Sequence, residues 1–199
     1  MARAGVTVER LAEAAAELAD EVGLEKVTVS ELARRFGVKD ASLYSHIRNA
    51  HQLRVRVAVL ALAELADRGA AALAGRAGKD ALVAFANAYR GYAKEHPGRY
   101  TAMQVELDPE TAKASAARRH SDMMRAILRG YSLAEPDQTD AVRLLGSTFH
   151  GFVSLEQAGG FHHHPRGADE SWGRVLDTLD VALRNWPTHE GDADASSTP

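Results

Sequence analysis

The chain has 199 residues, of which 45% are hydrophobic and 26% are charged, a composition typical of a folded globular protein. It contains no cysteine, which excludes disulfides, thiolate zinc sites and cysteine nucleophiles. The sequence has no run of about 18 apolar residues that could cross a membrane. Acidic residues interrupt its apolar N-terminal stretch, which argues against a signal peptide. We therefore expect no membrane partner and a cytoplasmic location.

Charge is distributed unevenly along the chain, whose net charge is −3. Residues 1–25 hold two arginines and six acids, whereas residues 26–56 hold seven lysines and arginines against two acids, a local balance of +5. A local basic cluster matters more for contact with phosphates than the average over the chain. The pattern indicates either a nucleic-acid surface near the N-terminus or an ordinary solvated face of mixed charge.

The predicted elements are helices throughout. Apolar residues recur at intervals of three and four, and strand signals are nearly absent, which predicts an all-α fold of about nine helices. Thr28 and Glu31 form a T-x-x-E capping box, Asn49 with Gln52 caps a long helix, and Pro97 ends another. The predicted helices span about 7–22, 29–36, 40–47, 49–74, 80–96, 98–104, 109–130, 135–159 and 170–185.

Residues 28–47 read as two short helices joined by a turn at Gly37, the arrangement of a helix-turn-helix. In that motif the second helix enters the major groove of DNA and presents its N-terminal residues to base edges. The residues available for this role are Lys39, Asp40, Ala41, Ser42, Ser45 and His46.

Contacts to phosphates have a separate set of candidates. Tyr44, His46, Arg48 and the hydroxyl of Thr28 can donate to phosphate oxygens, which positions a protein on DNA without reading its sequence. Asp40 has two open roles: its carboxylate can accept from cytosine N4, or it can face solvent in the first turn of a helix.

A more specific combination of residues extends over 7–56. It comprises AAAELADEVG at 14–23, Val27-Thr28-Val29, Leu32-Ala33, Phe36-Gly37-Val38 and Leu43-Tyr44-Ser45-His46-Ile47, and it closes at Leu53. This combination resembles the DNA-binding domain of the tetracycline-repressor (TetR) family. The resemblance implies that Thr28 and Tyr44 contact the DNA backbone, that His46 lies close to it, and that residues 39–42 face the bases.

Three positions depart from the family pattern. Lys39 stands where the family often has Ser or Thr as a helix cap, so Asp40 is left to cap the helix or to stabilise its first turn. Ala50 stands where the family often has a lysine that grips phosphate, a contact for which Arg48 or Arg54 is the candidate replacement. Ile47 replaces an aromatic residue.

The C-terminal part is expected to pair two copies of the chain, as the resemblance implies. The segment FHGFVSLEQAGGF also resembles the WHG-type C-terminal module of part of the family. We expect domains at 1–48 for DNA binding and 49–187 for regulation and dimerisation, followed by a disordered tail at 188–199. The alternative is that the apolar stripes of the last two helices belong to the core of a single chain. The candidate dimer residues are Leu145, Phe149, Phe152, Trp172, Val175, Leu176, Leu179 and Leu183.

A ligand pocket is expected among aromatic and methionine side chains, which adapt well to apolar ligands. The same side chains can equally form part of the hydrophobic core. His150 needs a hydrogen-bond partner in its apolar surroundings, either a ligand or a neighbouring side chain. The candidate pocket residues are Phe85, Tyr89, Tyr92, Tyr100, Met103, Met123, Met124, Ile127, Phe149 and His150.

The sequence thus predicts a ligand-responsive dimeric repressor that binds a palindromic operator on double-stranded DNA and a small-molecule effector of unknown identity. It shows no phosphate-binding glycine loop and no hydrolase motif, so we expect neither an enzyme nor a cofactor. Adjacent histidines at His162–His164 point in different directions, so no metal site is expected. The alternatives are a metal-responsive regulator that uses histidines, and a helical ligand-binding or scaffold protein that does not bind DNA.

Overall fold

The computed structural model describes residues 6–187. In this range the chain forms ten α-helices and two short 3₁₀ turns, and no strand. The predicted disordered tail at 188–199 lies outside the described residues. The helices are α1 (Val8–Val22), α2 (Val29–Phe36), α3 (Asp40–Leu43), α4 (Ala50–Leu73), α5 (Gly78–Glu95), α6 (Pro97–Ala102), α7 (Pro109–Ala114), α8 (Ala117–Leu128), α9 (Asp137–Gln157) and α10 (Ala168–Arg184).

Side-chain caps begin the helices at the positions that the sequence predicts. The Thr28 hydroxyl accepts a hydrogen bond from the backbone N–H of Glu31 at 3.2 Å, and the Asn49 side chain accepts one from Gln52 at 2.8 Å. Each cap satisfies an N–H that the helix itself leaves without a partner. The predicted starts of α2 and α4 are therefore confirmed.

Two predicted helices differ from the structure. The single helix expected at 109–130 is divided into α7 and α8, because the Ser115 hydroxyl donates to the carbonyl of Ala112 and accepts from the N–H of Ala117. These local bonds compete with the helical ladder. The helix expected at 40–47 ends at Leu43, and the next residues continue as a turn. The Ser45 hydroxyl donates to the carbonyl of Ser42 in that turn.

One hydrophobic cluster joins the N-terminal helices to the first half of α4. Its buried residues come from α1, the turn after it, α2, α3 and α4, and from Ala102 at the end of α6. Helix α6 lies directly on α1: a Cβ on Gly98 would be 2.0 Å from the carbonyl oxygen of Ala19. Only glycine allows this approach, so the packing of α6 fixes the orientation of α1.

A polar cluster reinforces the same junction. Asp20 on α1 accepts from the backbone N–H of Arg99 at 2.9 Å and lies 3.1 Å from Nδ1 of His96. Glu64 on α4 accepts from the Tyr92 hydroxyl at 2.7 Å, and it pairs with Arg99 at 3.4 Å. The cluster therefore ties α1, α4, α5 and α6 together.

A second hydrophobic cluster holds the C-terminal helices. It contains buried residues of α5, α8, α9 and α10 around Phe85 and Phe149. Between residues 6 and 187, no helix is both long enough and apolar enough to span a membrane.

Candidate nucleic-acid interface

The turn between α2 and α3 depends on Gly37. Its φ of 64° is left-handed, and its N–H reaches the carbonyls of Ala33 and Arg34, which closes α2 in the manner of a glycine C-cap. Leu43 and Ile47 are at most 1% exposed and lie in the cluster with α1 and α4. Helix α3 is thus anchored on one side, and its opposite side is free for contacts.

The outer side of α3 and the turn after it is small and polar. Tyr44 is 55% exposed, the largest apolar group on this surface, and His46 is half-buried. The Ser45 hydroxyl is 2.9 Å from the carbonyl of Ser42. The exposed residues of this surface are Lys39, Asp40, Ala41, Ser42, Tyr44 and Ser45.

Asp40 interacts with α2. Its carboxylate accepts a hydrogen bond from the Ser30 hydroxyl, a contact that links the first turns of the two helices. No side chain caps α3, whose N-cap position is Lys39. One carboxylate oxygen of Asp40 is therefore held against α2, a position that the sequence did not predict.

Thr28 has a double capacity at the start of α2. Its hydroxyl oxygen accepts from Glu31, and the hydroxyl hydrogen remains available as a donor because a hydroxyl both donates and accepts. The residue is exposed. Thr28 can thus cap the helix and donate to a phosphate at the same time.

Ion pairs neutralise part of the basic segment at 26–56. Arg34 pairs with Glu31, and Arg35 pairs with Glu17 at 2.7 Å and with Glu21 at 3.1 Å.

Arg54 lies 3.3 Å from the carboxylate of Glu25 and donates to its carbonyl. Its guanidinium is therefore held against the turn after α1, which argues against the phosphate role that the sequence left open for it. Lys39 and Arg48 are exposed and enter no ion pair within residues 6–187. Both side chains therefore remain available for phosphates.

The structure places most of the expected dimer residues of α9 and α10 in the core of their own chain. Six of the eight are at most 6% exposed and belong to the second hydrophobic cluster, and Phe152 and Val175 pack against it. A side chain that is buried by its own chain has no surface left for a second copy. The six core residues are Leu145, Phe149, Trp172, Leu176, Leu179 and Leu183.

A different face of these two helices is exposed. Leu144, Leu155 and Val181 are 36%, 54% and 58% exposed, and they are three of the five large exposed hydrophobics among the described residues. Leu144 and Leu155 lie eleven residues apart, on one face of α9. A groove of about 290 Å³ separates α9 from α10 and is lined by Thr148, Arg174, Val175, Thr178 and Leu179.

The candidate pocket residues come together only in part, and six of them are buried in the core. Tyr89 and Phe149 lie with their ring centroids 6.0 Å apart, and the Tyr89 and Tyr100 hydroxyls are 3.1 Å apart. The Tyr92 hydroxyl does not join this group and donates to Glu64 on α4. The six are Phe85, Tyr92, Tyr100, Met124, Ile127 and Phe149, while Tyr89, Met103, Met123 and His150 are half-buried.

His150 has a protein partner. Its Nδ1 is 2.8 Å from the Tyr100 hydroxyl, which is the satisfied-histidine alternative of the sequence analysis. Burial raises the pKa of Tyr100 and, more strongly, that of Tyr89, so both phenols keep their protons near neutral pH. The line from Tyr89 through Tyr100 to His150 connects α5, α6 and α9.

The histidine loop shows no metal-binding geometry. His162, His163 and His164 are exposed, and Nδ1 of His164 accepts from the backbone N–H of Arg166 at 3.1 Å. Throughout the described range 6–187, no three His, Asp or Glu side chains converge as metal ligands.

Comparison with known proteins identifies the family. The family described as "Bacterial regulatory proteins, tetR family" matches residues 11–54, and "Tetracyclin repressor-like, C-terminal domain" matches residues 82–179. The uncharacterized HTH-type transcriptional regulator YobS of Bacillus subtilis is 30% identical over 153 residues, covering 77% of this chain and 80% of that protein.

Two further relatives agree. The uncharacterized HTH-type transcriptional regulator Rv0681 of Mycobacterium tuberculosis is 34% identical over 76% of this chain and 70% of its own length. The crystal structure of the TetR family transcriptional regulator PfmR from Thermus thermophilus has a TM-score of 0.63 at 27% identity and covers 93% of this chain and 99% of that one. The chain therefore belongs to the TetR family of helix-turn-helix transcriptional regulators.

Proposed function

We propose that this chain binds a palindromic operator on double-stranded DNA as a homodimer, through α3 of each copy. The observation that carries the proposal is that α3 and the turn after it have one anchored and one open side: Leu43 and Ile47 are buried, while Ala41, Ser42 and Tyr44 are exposed. Small side chains at the start of a recognition helix allow close approach to base edges in the major groove.

The division of labour follows from the side chains available. Lys39 and Ser42 would contact bases, because both are exposed, Lys39 at the N-cap of α3 and Ser42 within the helix. Tyr44, Arg48 and Thr28 surround that side with donors for phosphate oxygens. Phosphate contacts position the protein on any sequence, whereas base contacts select one.

Dimerisation is proposed through the outer face of α9 and α10. The stripe of Leu144, Thr148, Gly151 and Leu155 on α9 adjoins the groove against α10. A Cβ on Gly151 would meet no atom of another helix within 4 Å, which leaves room for a helix of the second copy. Helix pairs from two chains would form a four-helix interface.

The effector site is proposed at the line of Tyr89, Tyr100 and His150. An apolar ligand with one hydrogen-bonding group would insert between α5, α6 and α9 and replace the bond between Tyr100 and His150. Helix α6 also contacts α1 at Gly98, so a shift of α6 would change the position of the DNA-binding helices. The ligand would relieve repression if it bound more tightly to a dimer geometry in which the distance between the two DNA-binding regions does not match the operator.

Selection from a pool of random duplexes tests the DNA-binding proposal. The full chain is expected to enrich an inverted repeat whose half-sites are centred about 34–36 Å apart, one turn of the double helix. Lys39→Ala and Ser42→Ala are expected to change the enriched bases, whereas Tyr44→Phe is expected to weaken binding to all sequences alike. Absence of any enriched sequence would contradict the proposal, and so would equal losses on every sequence for all three variants.

A further inference from the structure

A cavity in the N-terminal half of the chain lies outside the line of Tyr89, Tyr100 and His150. It has a volume of about 720 Å³, within the range of about 300–1,000 Å³ that is usual for small-molecule sites. Its walls come from α1, the first half of α4 and α7, three segments that are far apart in sequence. None of the ten candidate pocket residues lines it.

The walls are largely apolar. Helix α4 contributes one face of the cavity with three turns of aliphatic side chains, and α1 contributes the facing wall. Such a surface suits an apolar body rather than a fully polar ligand. The apolar lining residues are Val8, Ala12, Val55, Val59, Leu60 and Ala63.

The charged groups around this cavity are mostly acidic. Glu9, Glu13 and Asp108 stand against Arg56, with His51 as the further titratable group. Three carboxylates and one guanidinium give a balance of −2. A negative balance in a partly enclosed, apolar site favours a cationic ligand group.

The three carboxylates differ in their existing partners. Glu9 has backbone and Thr7 hydrogen bonds that lower its pKa, and the charge of Arg56 acts in the same direction. Both oxygens of Asp108 accept from Thr111, which lowers its pKa as well. Both groups are thus charged near neutral pH and already engaged.

Glu13 differs from the other two. It lines the cavity, is exposed, and its carboxylate forms no hydrogen bond or ion pair within residues 6–187. A carboxylate at the edge of an apolar cavity, one turn from Glu9 on the same face of α1, is the group best placed to pair with a ligand cation.

We propose that the cavity between α1, α4 and α7 binds a hydrophobic organic cation, with its apolar body against α4 and its positive group beside Glu13. The site is separate from the effector site proposed above. Because α1 and α4 also belong to the cluster that anchors α3, any effect of such a ligand on DNA affinity would be reciprocal.

Two ions of the same shape and opposite charge provide the test. Tetraphenylphosphonium and tetraphenylborate present the same four phenyl groups, so their affinities for the full chain, measured by isothermal titration calorimetry, isolate the effect of charge. We expect the cation to bind at least about tenfold more tightly, since each nearby carboxylate contributes about fivefold at a separation of about 4 Å in water.

Three variants locate the site. Glu13→Gln is expected to weaken binding of the cation about fivefold, while Glu110→Gln removes the same charge from an exposed position on α7 outside the cavity lining and should leave binding unchanged. Ala63→Phe fills the cavity and should abolish binding. Circular dichroism and thermal unfolding verify that each variant is folded.

Four results would overturn the proposal. They are equal affinities for the two ions, no binding of the cation, equal effects of Glu13→Gln and Glu110→Gln, and undiminished binding to a folded Ala63→Phe variant. The last result would place the cation elsewhere on the chain.

Discussion

At the scale of single residues, the available charge of the DNA-binding surface is smaller than the sequence total indicates. Arg35 is held by Glu17 and Glu21, and Arg54 is held by Glu25. An arginine in an ion pair must exchange that partner for a phosphate, whereas an exposed unpaired one releases counterions from DNA directly. Arg48 is of the second kind.

Arg48→Ala is therefore expected to reduce the salt dependence of DNA binding. The slope of log K against log salt concentration should become shallower by about 0.9, the contribution of one phosphate contact. Fluorescence anisotropy with a labelled duplex over a range of salt concentrations measures it. Arg54→Ala is the matched control and should leave the slope unchanged. Equal slopes for the wild type and Arg48→Ala would contradict this assignment.

At the scale of helices, close contacts and buried ion pairs determine how the elements fit together. Gly98 brings α6 against the backbone of α1. Arg90 on α5 is 8% exposed and donates to Glu156 on α9 at 2.7 Å, while Asp169 on α10 lies 2.7 Å away. The rings of Phe152 and Trp172 lie about 5.6 Å and 5.5 Å from its guanidinium carbon. A single cation thus joins three helices.

Gly98→Ala is expected to destabilise the protein by about 3 kcal/mol or more. The added methyl group would lie 2.0 Å from the Ala19 carbonyl, and a clash with backbone cannot be relieved by a change of rotamer. Thermal and urea unfolding measure the effect. In the control Gly173→Ala, the new methyl group meets no atom within 4 Å. That variant should gain about 0.5–1 kcal/mol from the helix propensity of alanine. Similar changes for the two variants would count against the contact between α6 and α1.

Glu156→Gln is expected to cost about 2 kcal/mol or more at neutral pH, because it leaves the buried Arg90 with the exposed Asp169 as its remaining carboxylate partner. The hydrogen bond from Arg90 lowers the pKa of Glu156 below its ordinary value of 4.5. The stabilisation is therefore complete above that value and is lost as the pH falls through the lower pKa of the folded state.

Urea unfolding of wild type and variant at neutral pH and at about pH 3 tests this dependence. The difference between them should shrink on acidification. Glu170→Gln, which removes an exposed carboxylate 3.6 Å from Arg166, is the control and should change stability by less than about 0.5 kcal/mol. A difference for Glu156→Gln that is independent of pH would contradict the role of its charge.

At the scale of the whole molecule, the fold is built on two hydrophobic clusters and leaves an apolar face exposed. The first cluster anchors α3, the second holds α5 and α8–α10 together, and the outer face of α9 and α10 carries the exposed Leu144, Leu155 and Val181. Exposed apolar groups on adjoining helices are typical of an interface between subunits. In the proposed function, this face holds the two copies of the chain at a fixed distance on DNA.

Val181→Arg is expected to convert the dimer into monomers at micromolar concentration. A two-fold interface buries each substitution twice, and an unpaired buried charge costs several kcal/mol. Sedimentation velocity measures the association state. Val22→Arg, at a 41% exposed position at the end of α1, is the matched control and should remain dimeric. A Val181→Arg chain that stays dimeric would place the interface elsewhere.

Local sequence rules predicted where helices and turns occur better than they predicted which residues pack around them. The caps at Thr28 and Asn49 and the turn at Gly37 follow from the residue itself and two or three neighbours. The division of 109–130 at Ser115 was missed, because serine inside a helix is compatible with either continuation or a break.

The assignment of helix faces shows the limit of periodicity. The α9 sequence contains two apolar stripes, one through Leu145 and Phe149 and one through Leu144 and Leu155, and the 3.6-residue period does not say which neighbour covers which stripe. The cavity at Glu13 depends on three distant segments, and no local pattern predicts it. The exposure of the small side chains on α3 was predicted, because the helix-turn-helix motif presents the start of its second helix to DNA.

Changing the spacing of the two half-sites tests whether two copies of the chain read DNA together. The measurement compares the affinity of the full chain for the selected inverted repeat with that for the same repeat lengthened by about five base pairs, half a turn of the helix. We predict a loss of about 100-fold or more, because the second α3 would face away from its groove and the gain from bivalent binding would disappear. Equal affinity for the two duplexes would contradict the claim that two copies, held at a fixed distance, read DNA through α3.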